Sequence, residues 1–130
     1  MVTFTAKIAD ESSVMQFVMC ILHSVTNGHI LHLKTPSYAE HKALETFYSE
    51  AGDLIDAFVE AYQGKYTVLT NYLPIFELAI NPIEYLTYLQ DEVADLRMQP
   101  DFPQDSELQN EVDNIANLIN STLYKLRFLS

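Results

Sequence analysis

Residues 38–63, YAEHKALETFYSEAGDLIDAFVEAYQ, decide the fold. Leu44, Phe47, Tyr48, Ala51, Leu54, Ile55, Phe58, Val59 and Tyr62 recur at helical spacing. At 100° per residue they fill an arc of about 140°, a width that suits burial against other helices. Ser37, followed by Glu40, forms a capping-box pattern at the start, and Gly64 marks the end. A helix this long with one apolar face needs partners, so the rest of the chain is read for them.

Upstream, Val14, Phe17, Val18, Ile21, Leu22 and Val25 predict a helix from about Glu11 to Leu33, capped by Ser12 or Ser13. Asn27-Gly28 interrupts its pattern, and Thr35-Pro36-Ser37 predicts a turn. Downstream, Lys65 to Ile80 is a long connection, in which Ile75, Phe76 and Leu78 after Pro74 suggest a short helix. Asn81-Pro82-Ile83-Glu84 opens a third long helix, ending near Met98. Asp105 or Ser106 opens a fourth, with Leu108, Val112, Ile115, Leu118, Ile119, Leu123 and Leu126 on one stripe. No strand alternation or repeat stands out. The expectation is one all-α domain over residues 1–130, a four-helix bundle with a long crossover between helices two and three.

The central helix also carries His41, Glu45, Asp56 and Glu60. Each pair is spaced i, i+4, so its side chains lie one turn apart on one face. Glu45 and Asp56 are about 16 Å apart along the axis, so one metal cannot reach both pairs within a chain. Two antiparallel copies of the helix solve this. About a two-fold axis near Glu50 and Ala51, His41 faces Glu60, Glu45 faces Asp56, and Ser49 faces Gly52. A mid-helix glycine costs about 1 kcal/mol relative to alanine, so close helix approach across that axis would give Gly52 a reason. A polar stripe is also the ordinary form of a solvated helix face. Carboxylates with one or two imidazoles suit Fe(II), Mn(II) or Zn(II), and His29 or His32 could complete the set. No Glu-x-x-His, His-Glu-x-x-His or cysteine pair is present, which argues against a di-iron site inside one bundle, a zinc protease and a zinc ribbon.

The net charge of −11, with scattered Lys and Arg, argues against nucleic acid as a partner. One cysteine, Cys20, allows no disulfide within the chain and fits a reducing compartment. Met1 to Lys7 lacks the layout of a signal peptide, and the apolar run Val14 to Leu22, interrupted by Gln16, is too short to span a bilayer. A cytoplasmic protein without a membrane partner is expected.

The stretch His29 to Gly64 resembles the central region of Dps proteins, the mini-ferritins. Their second helix carries a histidine and three acids at the spacing of His41, Glu45, Asp56 and Glu60. The resemblance implies a ferritin-like bundle and an iron-oxidising site shared by two chains, with peroxide or oxygen as oxidant. It implies a homo-oligomer, a dimer or a hollow cage, with metal ligands His32, His41, Glu45, Asp56 and Glu60. His29, which keeps the family's twelve-residue distance to His41, is the alternative to His32. Iron is the implied metal, with Mn or Zn as alternatives, and no catalytic residues are implied apart from the ligands. The family's tryptophan after its first histidine is missing, and Glu45 stands where Asp is usual. Ser37 to Leu44 also looks like small ferritin-like proteins of viral origin, which would place the protein in host cytoplasm; such proteins need not be enzymes.

Overall fold

The structure, a computed structural model, describes residues 12–129. The expected helix start at Glu11 and the N-terminal stretch from Met1 to Lys7 lie outside them. Four helices account for the regular structure of the described residues: α1 (Ser13–Lys34), α2 (Tyr38–Lys65), α3 (Pro82–Leu96) and α4 (Ser106–Phe128). The chain is thus an all-α bundle.

Local chemistry sets the helix ends. Ser12 Oγ accepts from Met15 N at 3.1 Å, and Asp101, from the α3–α4 loop, takes the Ser13 N–H at 2.9 Å. Ser37 Oγ accepts from Glu40 N. The return arm of the capping box runs through Thr35: its hydroxyl donates to Glu40 Oε1 at 2.7 Å and accepts from Ser37 N at 3.1 Å. Asn81 caps α3 by accepting from Glu84 N. Asp105 precedes α4 without a side-chain cap bond. Its carboxylate is engaged by Lys65 at 2.6 Å and by the Tyr66 hydroxyl at 2.6 Å, which joins the end of α2 to the start of α4.

Packing follows the apolar stripes. α1 packs on α2 and α3, and α4 packs on α2 and α3; neither α1 with α4 nor α2 with α3 forms a pair. The core joins Phe17, Phe58 and Phe102 in edge and stacked contacts, with Leu44, Phe47, Leu86, Leu108 and Ile119 fully buried nearby. By length and composition alone α1 could cross a membrane. Here its apolar residues Phe17, Val18, Ile21 and Leu31 are instead buried inside the bundle. Asn27 and Gly28 do not interrupt α1. Gly28 lies against α2: a Cβ there would stand 3.0 Å from Phe47 Cδ2 and 3.2 Å from Tyr48 Cβ.

The short helix expected around Ile75, Phe76 and Leu78 is absent, and residues 66–81 carry no regular structure. Pro74 removes a donor and disfavours helix before it. Asn27, buried in α1, donates to the Glu77 carbonyl at 3.0 Å and accepts from Ala79 N at 2.9 Å. Those are the backbone groups a helix there would have used itself.

These contacts set the running directions. The start of α1 meets the α3–α4 loop through Ser13 and Asp101. The end of α2 meets the start of α4 through Lys65 and Asp105. The end of α3 is held to α4 by Arg97, whose guanidinium donates to Gln109 and pairs with Asp113 at 2.6 Å. So α1 and α4 run one way, α2 and α3 the other. The α1–α2 turn lies at the opposite end from the α3–α4 loop.

Candidate metal centre

The α1–α2 turn is three residues long, and one of them shapes the site. In a helix the carbonyl of His32 would accept from residue 36, but Pro36 has no N–H. The freed carbonyl meets His41 Nδ1 at 2.9 Å. His32 Nδ1 meets the His41 carbonyl at 2.7 Å. A carbonyl only accepts, so both Nδ1 atoms carry the proton. In the neutral ring each Nε2 is then a bare lone pair, the form a metal needs. The two rings stack at 3.7 Å between centroids and 19° between planes.

Glu45 stands one turn beyond His41. One ligand atom each from His32, His41 and Glu45 lies within 4.8 Å of the others. His32 is buried; His41 and Glu45 are partly exposed. Lys42 donates to Glu45 Oε1 at 3.2 Å. That bond, with the positive charge of Lys42 and smaller help from His32 and His41, holds the Glu45 carboxyl below its usual range. An anionic oxygen therefore faces the two imidazoles.

Of the other expected residues, His29 stays outside this cluster. It is exposed and stacks on Tyr48 at 4.2 Å and 11°, with its ring 5.8 Å from that of His32. Asp56 and Glu60 are exposed further along α2 and do not reach the cluster within the chain. Gly52 has no closer neighbour among the described residues than Val25, which a Cβ there would meet at 4.0 Å. Three contributors, Lys42 among them, were not singled out from the sequence. Tyr48, read as a core residue, makes an edge contact with His32 at 5.3 Å. Its place two turns after His41 on the same helix face was the available signal. Pro36 was read only as a turn residue, although its distance of four from His32 marks a carbonyl left without an internal donor.

The fold and site define a small all-α bundle with a histidine–carboxylate cluster beside the α1–α2 turn. The chain belongs to the family of unknown function DUF5856, which it matches over residues 32–126. It is also 51% identical over 43 residues to an uncharacterised 14.6 kDa protein from the mobD–ri intergenic region of Enterobacteria phage T4. That match covers 30% of this chain and 34% of the phage protein, so the chain spans about a third of the relative's length. No solved structure matches.

Proposed function

We propose that this protein is a Dps-like, ferritin-like iron-binding protein whose metal site lies between two antiparallel copies of α2. His32, His41 and Glu45 would come from one chain, and Asp56 and Glu60 from the other. The observation that carries this reading is the reciprocal hydrogen bonding of His32 and His41, which leaves two bare Nε2 atoms beside an ionised carboxylate. Exposure of Asp56 and Glu60 fits completion from outside the chain. The ferritin-like part of the proposal is supported by the parallel course of α2 and α3, at opposite corners, with residues 66–81 as the crossover.

As chemistry, nitrogen and oxygen donors of this kind suit Fe(II), with Mn(II) and Zn(II) as competitors. In the proposed reaction two Fe(II) ions each give one electron to hydrogen peroxide. The O–O bond breaks, two protons are taken up, and two waters leave with two Fe(III). The residues of this chain would bind and orient the substrate iron. The acidic character and Cys20, the single cysteine, fit an intracellular setting without nucleic acid. The likeness to a phage protein would make that setting the host cytoplasm.

A second reading, a ferritin-like structural or partner-binding protein without redox activity, is favoured by the engagement of Glu45 with Lys42. One experiment separates the two. Purified protein is titrated with Fe(II) under argon, then given peroxide while ferric absorbance is followed, with light scattering to give the mass. The iron reading expects saturable binding, an oligomer, and loss of oxidation with weakened binding in Glu60→Ala. Wild type that neither binds nor oxidises iron refutes the proposal and leaves the structural reading.

A further inference from the structure

Between α1, α3 and the connection 66–81 lies a cavity of about 540 Å³. Its size falls within the range of small-molecule sites. Cys20 and Ala79 form its buried floor, and Tyr85 and Tyr88 line it from α3. Leu78 and Ile80 stand at its exposed edge. The wall is not slack chain. Both polar atoms of the Asn27 amide are committed to it, one to the Glu77 carbonyl and one to Ala79 N. That clasp holds Ile80 at 81% exposure at the opening, although an isoleucine gains from being covered.

The charged residues in the described lining have one sign. Glu77 and Glu84 line it, and among the described residues no lysine or arginine does. Burial pushes the Tyr88 phenol above its usual range, and the neighbouring Cys20, Glu92 and Glu77 push it the same way. His23, also in the lining, is pushed down by burial, which disfavours its charged form. The cavity thus combines apolar walls, two tyrosine rings and negative potential. An anion would meet two acidic residues and, among the described residues, no lysine or arginine. A neutral apolar molecule would cover Ile80 but leave the carboxylates unpaired. A cation on an apolar body satisfies both.

We propose that this cavity binds a small organic cation, an amine carried on an apolar or aromatic body. The inference stands apart from the histidine site and does not depend on metal binding.

Three probes of matched shape test it: phenethylamine as the cation, 2-phenylethanol as the neutral form and 3-phenylpropionate as the anion. Each is titrated into isotope-labelled full-length protein, and the Ala79 amide and the Tyr85 and Tyr88 ring signals are followed by NMR. The expected result is saturable shifts at these residues, with phenethylamine several-fold tighter than the alcohol and the carboxylate weakest. Ala79→Phe should fill the cavity and abolish all three responses. Glu84→Gln, an exposed change that keeps the Asn81 cap, should narrow the gap between amine and alcohol while leaving the alcohol unchanged. If Ala79→Phe does not fold, the Glu84→Gln result decides. Equal binding of amine and alcohol, preference for the carboxylate, an unaltered gap in Glu84→Gln, or no saturable shift with any probe overturns the proposal.

Discussion

His32 and His41 hold each other by the backbone: each ring's Nδ1 faces the other residue's carbonyl, at 2.7 and 2.9 Å. The pair therefore joins the last turn of α1 to the first turn of α2 and fixes both tautomers at once. Long-range nitrogen–proton NMR spectra of the metal-free protein should show Nδ1–H on both rings. His41→Ala should remove the donor to a carbonyl that Pro36 has already left without one, at a cost of about 1–3 kcal/mol in urea unfolding. It should also weaken binding of Co(II), used as an optical probe of nitrogen ligation. Nε2–H signals on both rings would sink the metal-ready arrangement.

Gly28 and Gly52 make opposite predictions for the same substitution. At Gly28 an added Cβ meets the fully buried Phe47 ring and the Tyr48 Cβ, neither free to retreat. Overpacking of about 1–3 kcal/mol should outweigh the helix-propensity gain of about 1 kcal/mol, so Gly28→Ala lowers stability. At Gly52 an added Cβ would meet only Val25, at an ordinary van der Waals distance of 4.0 Å, and Gly52→Ala should raise monomer stability by up to about 1 kcal/mol. Gly52→Leu should instead block the proposed antiparallel dimer. Thermal melts test the alanines and light scattering tests the leucine; a native oligomer in Gly52→Leu would remove the support for that packing.

The acidic face of α3 gives a pH dependence. Burial first, then Asp95 and Asp91, hold the Glu92 carboxyl above its ordinary value of 4.5. The folded protein therefore favours the protonated form. That contribution is fully present below pH 4.5 and is lost as pH rises through the raised value. Glu92→Gln should raise the melting temperature at neutral pH, and the advantage should fade as the buffer is brought below the ordinary glutamate range. An equal gain at every pH would mean that charge is not the cause.

Asn27 ties the connection to α1. In Asn27→Leu the Glu77 carbonyl and the Ala79 N–H lose their partners, which should cost about 1–3 kcal/mol for the buried group. Hydrogen exchange at Ala79 should accelerate well before exchange at core amides such as Leu89. Unchanged protection at Ala79 would show that the connection is held by something other than this side chain.

How far the sequence led differs by element. The long helices were legible because their apolar residues, such as Leu44, Phe47 and Phe58, repeat at a period set by the backbone itself. The connection was misread because Ile75, Phe76 and Leu78 carry a local apolar signal, while the partner that overrides it, Asn27, lies far away in the chain. Gly28 was misread for the same reason: glycine weakens a helix locally, and only the neighbouring α2 shows why it is needed. At the site, the spacing of His41 and Glu45 was visible from helical geometry. The exclusion of His29 was not, because it depends on which face of α1 turns toward Tyr48 and which toward His41.

The three-residue turn Thr35-Pro36-Ser37 has a consequence for timing. His32, His41 and Glu45 are near neighbours along the chain, so bringing them together closes only a small loop. Such local contacts form early relative to the pairing of distant segments. The half of the proposed site carried by this hairpin takes its ligands from α1 and α2 alone, so it could form before α3 and α4 pack. A metal ion bound at that stage would act as a clip on the first hairpin. Assembly of the second copy would then find a ligand already in place, so the order of events would be hairpin, ion, bundle, partner.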